Sequence, residues 1–298
     1  MTLREEMTVT ARRGAAALGP AAADAAAFVA SRRGPNGGWT GRSGEDDLYY
    51  GVFATAALAA LGQDACDPEL RAWLAAAPEP DALDLVHLSS LIRCRATACP
   101  EQLDETFRTA ALARLGAFRS ADGGYALVPA GRSGSAYGAF LALGALQDLG
   151  AAPDDPDATA GALAALRTST GGYCNETAVP APSAPATAAA VAVLHQLGRP
   201  TDDAALRWLR EACYRGGGFT VVPALPVPDL LSTAVTVHAL ATCGFPLGDI
   251  AGEVREFVMA RRTPAGGFCA SAADTEPDVE YTFYGLMAMG HVAAEGDG

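Results

Sequence analysis

GGFTVVPALPVPDLLSTAVTVHALATCG, residues 217–244, opens on two glycines and an aromatic and closes on a further glycine. Between them lie a proline-rich turn and a nearly uncharged run from Ser232 to Cys243 holding Ala234, Val235, Val237, Ala239, Leu240 and Ala241. A helix apolar all round is one buried on every side. The preceding segment, Asp202 to Tyr214, has the opposite character. It places Leu206, Leu209 and Cys213 on one stripe with charges behind them, the pattern of a helix with one face in water. The unit is therefore a half-exposed helix, a Gly-Gly-aromatic turn and a buried helix.

The unit repeats. Gly-Gly-aromatic recurs at Gly37-Gly38-Trp39, Gly123-Gly124-Tyr125, Gly171-Gly172-Tyr173, Gly217-Gly218-Phe219 and Gly266-Gly267-Phe268, at intervals of 86, 48, 46 and 49 residues. A closing pair follows each, at Leu61-Gly62, Leu149-Gly150, Leu197-Gly198, Cys243-Gly244 and Met289-Gly290, at intervals of 88, 48, 46 and 46. Two independent markers with one period define a repeat, and the doubled first interval hides a sixth unit, near 67–97, that lacks the glycines. First helices are expected near 22–33, 67–77, 104–118, 157–168, 202–214 and 249–262. Second helices are expected near 46–61, 81–96, 135–149, 184–197, 229–242 and 278–290. Six pairs can stack as an open solenoid or close into a ring. The uncharged second helices favour closure, because an open array exposes one of their faces. The expected fold is all-α: an (α/α)₆ toroid occupying 1–298 as a single domain, with repeats from about 22 to 290 and a central apolar cavity.

Composition narrows the function. Net charge is −13 and no basic cluster exists, so a nucleic-acid partner is not expected. Seven cysteines without a CxxC pair point to a reducing compartment, and the expected localisation is cytoplasmic. Arg12 and Arg13 precede an alanine-rich run, but Pro20 and Asp24 interrupt it, so we read no signal peptide there. No apolar stretch is long enough for a transmembrane segment.

The Gly-Gly-aromatic units resemble the prenyltransferase and squalene-cyclase repeat over nearly the whole chain. That superfamily holds protein prenyltransferase β-subunits and class II terpene cyclases. A single toroid, and Ser135-Ala136-Tyr137 in the third unit, are similar to the β-subunit branch. The resemblance implies that reactive residues lie at the N-terminal ends of the inner helices, at one mouth of the cavity. Those ends carry Asp46, Asp47, Asp229, Asp278 and Glu280, positions that also suit helix capping.

The prenyltransferase zinc site needs an Asp-x-Cys pair on one inner helix and a His on the next. Asp229 matches, but Leu231 stands at the cysteine and Tyr281 at the histidine, so zinc is not expected. Class II cyclases use Asp-x-Asp-Asp-Thr, whose middle acid protonates an alkene. Asp278-Val279-Glu280-Tyr281-Thr282 resembles it, with Glu280 at the donor position. Asp278 would share its proton, and Asp229 opens the same frame in the fifth unit. Glu45-Asp46-Asp47 is a candidate for Mg²⁺ with a diphosphate substrate. Arg42 and Arg132, with Arg119 and Arg215 beside the turns, are candidates for the phosphates. Tyr49, Tyr50, Phe53, Tyr137, Tyr281 and Tyr284 are expected to line the cavity and face a carbocation, alongside Phe140 and Phe283. Ala188, Ala189, Ala190, Ala234, Ala239, Gly285 and Ala288 are expected to leave it room. The expected function is an isoprenoid-acting, terpene cyclase-like enzyme that binds a prenyl chain and initiates cyclisation by protonation. The alternatives are a zinc-independent prenyltransferase-like protein with a second subunit or homo-oligomer, and a non-catalytic lipid-binding toroid or scaffold.

Overall fold

A computed structural model describes residues 1–200 and 202–296. The outer helices are α2 (Ala21–Ala30), α4 (Pro68–Ala75), α6 (Glu105–Ala117), α8 (Pro156–Ala164), α10 (Asp203–Ala212) and α12 (Ala251–Met259). The inner helices are α3 (Leu48–Ala60), α5 (Leu85–Ala98), α7 (Ala136–Asp148), α9 (Ala184–Gln196), α11 (Leu230–Thr242) and α13 (Val279–Gly296). Each inner helix packs on the next, and α13 packs back on α3, so the ring is closed. The all-α toroid read from the repeat is the observed fold. Short two-stranded pairings, such as Phe268–Cys269 with Pro277–Asp278, are confined to the turns.

The repeat geometry explains the glycines. The first glycine of each pair has φ between 86° and 104°, a region that disfavours any side chain. The second lies under the next outer helix: a Cβ on Gly38, Gly172, Gly218 or Gly267 would strike the ring of Trp73, Trp208, Phe257 or Phe28. The last of these contacts joins unit six to unit one. The aromatics after the glycines, Trp39, Tyr125, Tyr173, Phe219 and Phe268, are all buried core. Four of the five turns have an arginine six residues before the aromatic, and three of these tie the turn outward. Arg33 pairs with Asp67, Arg167 with Asp202 and Arg262 with Asp24, in each case at or near the start of the following outer helix.

Two readings are corrected. A thirteenth helix, α1 (Leu3–Leu18), precedes the repeats. It crosses the far mouth, where the inner helices end: the Leu3 N–H donates to Gln147 Oε1 at 2.8 Å and Arg4 pairs with Asp148, both at the end of α7. Gly290 is not a closing glycine. Helix α13 runs through it to Gly296, because Gly14 of α1 and Gly290 of α13 let the two backbones touch. A Cβ on Gly290 would lie 1.9 Å from Thr10 O, and one on Gly14 would lie 1.8 Å from Leu286 O.

Candidate active site

A capping rule recurs at the open mouth. Asp47, Asp84, Ser135, Ser183 and Asp229 precede inner helices, and each accepts a backbone N–H from the first turn, satisfying a donor the helix leaves free. Asp278 does the same for α13, accepting from the Tyr281 N–H at 2.9 Å. In units four to six the threonine four residues after the cap is structural. Thr187, Thr233 and Thr282 each accept the N–H of the Gly-Gly aromatic, Tyr173, Phe219 or Phe268, at 2.9, 2.9 and 3.1 Å. The threonine that completes the acid motif in unit six thus fastens the turn to the helix.

Glu280 is different. It is one residue into α13, 8% exposed, and caps nothing. Its Oε1 accepts the Tyr49 O–H at 2.6 Å across the junction of units one and six. Burial raises its carboxyl from 4.5 to about 7. The Tyr49 hydrogen bond opposes this, the charge of Asp278 adds to it, and Arg42 opposes it. Burial also raises Asp278 and Asp229, against the backbone bonds they accept as caps. Asp278 and Glu280 do not share a proton through a hydrogen bond: none joins them among the described residues. Asp278 instead lies 3.4 Å from Arg42 Nε. Arg42 in turn donates to Asp274 and to the Glu276 carbonyl, clamping unit six onto unit one.

Below this rim lies a cavity of about 360 Å³. Tyr49, Phe53, Tyr137 and Tyr284 line it as expected, together with Phe140, Val52, Leu231, Val235 and Ala188. Tyr49 meets Phe53 edge-on at 5.1 Å between ring centroids, and Phe53 lies 5.4 Å from Tyr284. Burial raises the Tyr49, Tyr137 and Tyr284 hydroxyls above the usual tyrosine range, so all three stay protonated.

The remaining candidates fall outside this wall. Tyr50 stands at the rim edge-on to Tyr49, and Tyr281 lies under the Arg42 guanidinium at 5.9 Å. Asp46 is turned into its own Gly-Gly loop, accepting from the Asn36 and Gly38 N–H groups. Asp47 is a cap 3.6 Å from His87 Nε2. Glu45, Asp46 and Asp47 do not converge on a point where one cation would meet all three. Arg132 is exposed on the loop before α7. Arg119 stacks on Tyr125, and Arg215 donates to the carbonyls of Tyr214 and Pro223. Gly285 makes room for the Phe268 ring, not for the cavity. Among the described residues, the one cluster with metal-ligand spacing is Cys66, Cys99 and Glu101, outside the cavity and beside Arg71.

The sequence reading missed the floor. Met7 of α1 reaches the cavity, Arg93 and Ser90 of α5 face it, and His238 of α11 stands at its base. His238 Nδ1 is 2.9 Å from His291 Nε2. Burial lowers these imidazoles to about 4 and about 3, so both are neutral.

A closed ring of largely apolar inner helices around an aromatic-lined cavity, with a nearly buried acid hydrogen-bonded to Tyr49 at its rim, defines an α/α-toroid. The family model for the prenyltransferase alpha-alpha toroid domain matches residues 130–222 and 187–295. The chain belongs to that family. A search of curated protein sequences finds no match. Among solved structures, a variant of the type II terpene cyclase MstE from Scytonema in complex with merosterolic acid A is similar at 14% identity and a TM-score of 0.63, covering 95% of this chain and 98% of that one. An MstE variant in complex with geranylgeranyl dihydroxybenzoate gives 12%, 0.65, 94% and 99%. A glycosidase variant in complex with glucose gives 14%, 0.59, 94% and 98%. The fold is thus terpene cyclase-like, and the same fold also serves a glycosidase.

Proposed function

We propose that the toroid folds an isoprenoid chain in its cavity and that Glu280 starts the cyclisation of that chain by protonating an alkene. The observation that carries this reading is the placement of Glu280, a nearly buried carboxyl hydrogen-bonded to the cavity residue Tyr49, where burial pushes it up to about 7. Tyr49 occupies Oε1, which leaves Oε2 to carry the transferable proton, and the same hydrogen bond stabilises the carboxylate left behind. The alkene π pair takes the proton to form a C–H bond. The resulting cation is shielded from water and faces the rings of Phe53, Tyr137, Phe140 and Tyr284. Attack by a second alkene closes a ring, loss of a proton ends the sequence, and the net change is an isomerisation.

Asp278 acts as a positioning residue: it caps the helix that carries Glu280, and its charge favours the protonated acid. Asp229 caps the neighbouring helix. Zinc has no place in the scheme, since Leu231 and Tyr281 stand where the family's cysteine and histidine would. Mg²⁺ has none either, since the acidic run 45–47 is given over to its turn and its cap. MstE, in complex with a geranylgeranyl compound, supports the reading by its likeness of fold. The glycosidase does not transfer as readily, because none of Trp39, Trp73 and Trp208 lines the cavity and apolar atoms dominate its wall.

The test is incubation with isoprenoids of increasing length, followed by mass analysis of extracted products. Cyclised product from the wild type and none from Glu280→Gln supports cyclisation. Tight binding without turnover supports the carrier instead.

A further inference from the structure

The floor of the cavity holds a charge that the cyclisation scheme does not use. Arg93 is the ninth residue of α5, its side chain is 16% exposed, and it is the one cation among the residues that line the cavity. Its Nε lies 3.7 Å from Asp148 Oδ2, too far for a hydrogen bond, and Asp148 is fully buried. Asp148 already accepts from Arg4 Nε at 2.7 Å through its other oxygen. Two guanidinium groups around one carboxylate leave one positive charge in excess.

A guanidinium carries five N–H donors, and Arg93 spends none of them on a protein acceptor among the described residues. The space for it is provided: a Cβ on Gly144 would lie 2.9 Å from Arg93 Nη2. Ser90 is three residues earlier on the same helix, so the two side chains share a face. The Ser90 hydroxyl also faces the cavity without a protein partner. Unused donors and an unbalanced charge in an apolar chamber are costly unless water or a guest completes them, and a carboxylate guest completes both.

We infer that Arg93 and Ser90 form an anion-recognition subsite and that the substrate is a short isoprenoid bearing a carboxylate at the end remote from its reacting alkene. The inference rests on the isoprenoid reading of the cavity. One excess charge matches a monoanion. A diphosphate would need several cations, and Arg42 at the mouth is committed to Asp274 and Asp278. Length follows from the helices. Arg93 is eight residues into α5 and Glu280 one residue into α13, so at 1.5 Å per residue they differ in depth by about 10 Å. An extended chain advances about 1.2 Å per backbone atom, so about 10 Å spans roughly two isoprene units. Tyr137 and Tyr284 line the cavity within reach of the charges of both Glu280 and Arg93. A volume of about 360 Å³ suits a guest of this size.

The test is calorimetric titration of the Glu280→Gln protein, in which turnover does not interfere, with geranic acid, geraniol and geranyl diphosphate. The acid is expected to bind at least tenfold more tightly than the alcohol and more tightly than the diphosphate. Adding Arg93→Met should weaken the acid about tenfold or more and leave the alcohol within about threefold. Adding Ser90→Ala, which leaves the ion pair untouched, should weaken the acid alone by a smaller factor. Equal losses for acid and alcohol would make Arg93 a structural ion pair only and overturn the subsite. Diphosphate binding tightest would overturn the carboxylate assignment. If neither acid nor alcohol binds at any length, the isoprenoid reading fails first, and this inference with it.

Discussion

Replacing Glu280 by glutamine should make the protein more stable at pH 8 and leave it unchanged at pH 4. Below pH 4.5 the glutamate is protonated in both the folded and the unfolded chain. Between 4.5 and about 7 the unfolded chain releases the proton while the folded protein retains it. The unfolded state then binds fewer protons, so stability falls as pH rises through this window. At about 1.4 kcal/mol for each tenfold change in proton affinity, a rise from 4.5 to about 7 corresponds to about 3 kcal/mol. Glutamine does not titrate and still accepts the Tyr49 hydrogen bond. Asp229 and Asp278 are also raised by burial and titrate in both proteins; Asp229 cancels in the difference, while Asp278, coupled to Glu280 by charge, leaves a smaller remainder. Urea unfolding of wild type and Glu280→Gln at pH 4, 5, 6, 7 and 8 measures that difference directly. It should be near zero at pH 4 and grow to about 3 kcal/mol in favour of glutamine by pH 8. A difference that does not change with pH would refute the claim that Glu280 is a neutral acid in the folded protein.

Tyr49→Phe removes a hydrogen bond that favours the Glu280 carboxylate, so the midpoint of the same pH transition should move upward, and a downward shift would contradict the assignment. Gly290→Ala should force α1 away from α13 and lower stability by about 1–3 kcal/mol, seen as a fall in Tm; an unchanged Tm would mean the two helices do not touch there. Thr282→Val leaves the buried Phe268 N–H without its partner and should cost about 1–3 kcal/mol, whereas Thr282→Ser keeps the hydroxyl and should lie much closer to wild type. Cys66 and Cys99, with sulfurs 3.0 Å apart, should form one disulfide on exposure to oxidised glutathione. Counting thiols should then show two fewer free, with Cys66→Ser abolishing the effect.

The toroid was legible because its requirements are local. A positive-φ turn strongly favours glycine, and inner helices packed on nearly every side carry few charges, so both leave marks at a fixed period. Helix α1 left no such mark: it belongs to no repeat, and its two contact glycines, Gly14 and Gly290, serve a close backbone approach that resembles an ordinary helix end in sequence. At the site, Tyr49 and Glu280 were each legible as rim residues. Their pairing was not, since it spans 231 residues and exists only because the ring closes. The capping duties of Asp47, Asp229 and Asp278 follow from the same N-terminal positions that made them candidates for chemistry, whereas Asp46 holds its own turn. Arg93 stayed hidden because the second unit has lost the glycines that set the register, so nothing in the sequence shows which face of α5 meets the cavity. The arginines six residues before four of the five turn aromatics went unread in the sequence. Their meaning required seeing the next outer helix brought alongside.

The most direct test of the central claim is the origin of the first proton. A cyclisation run in D₂O with an unlabelled isoprenoid should give a product carrying one deuterium at the carbon protonated in the first step, and Glu280→Gln should give no product at all. A cyclised product without solvent deuterium, or equal turnover by the glutamine variant, would show that Glu280 does not start the reaction.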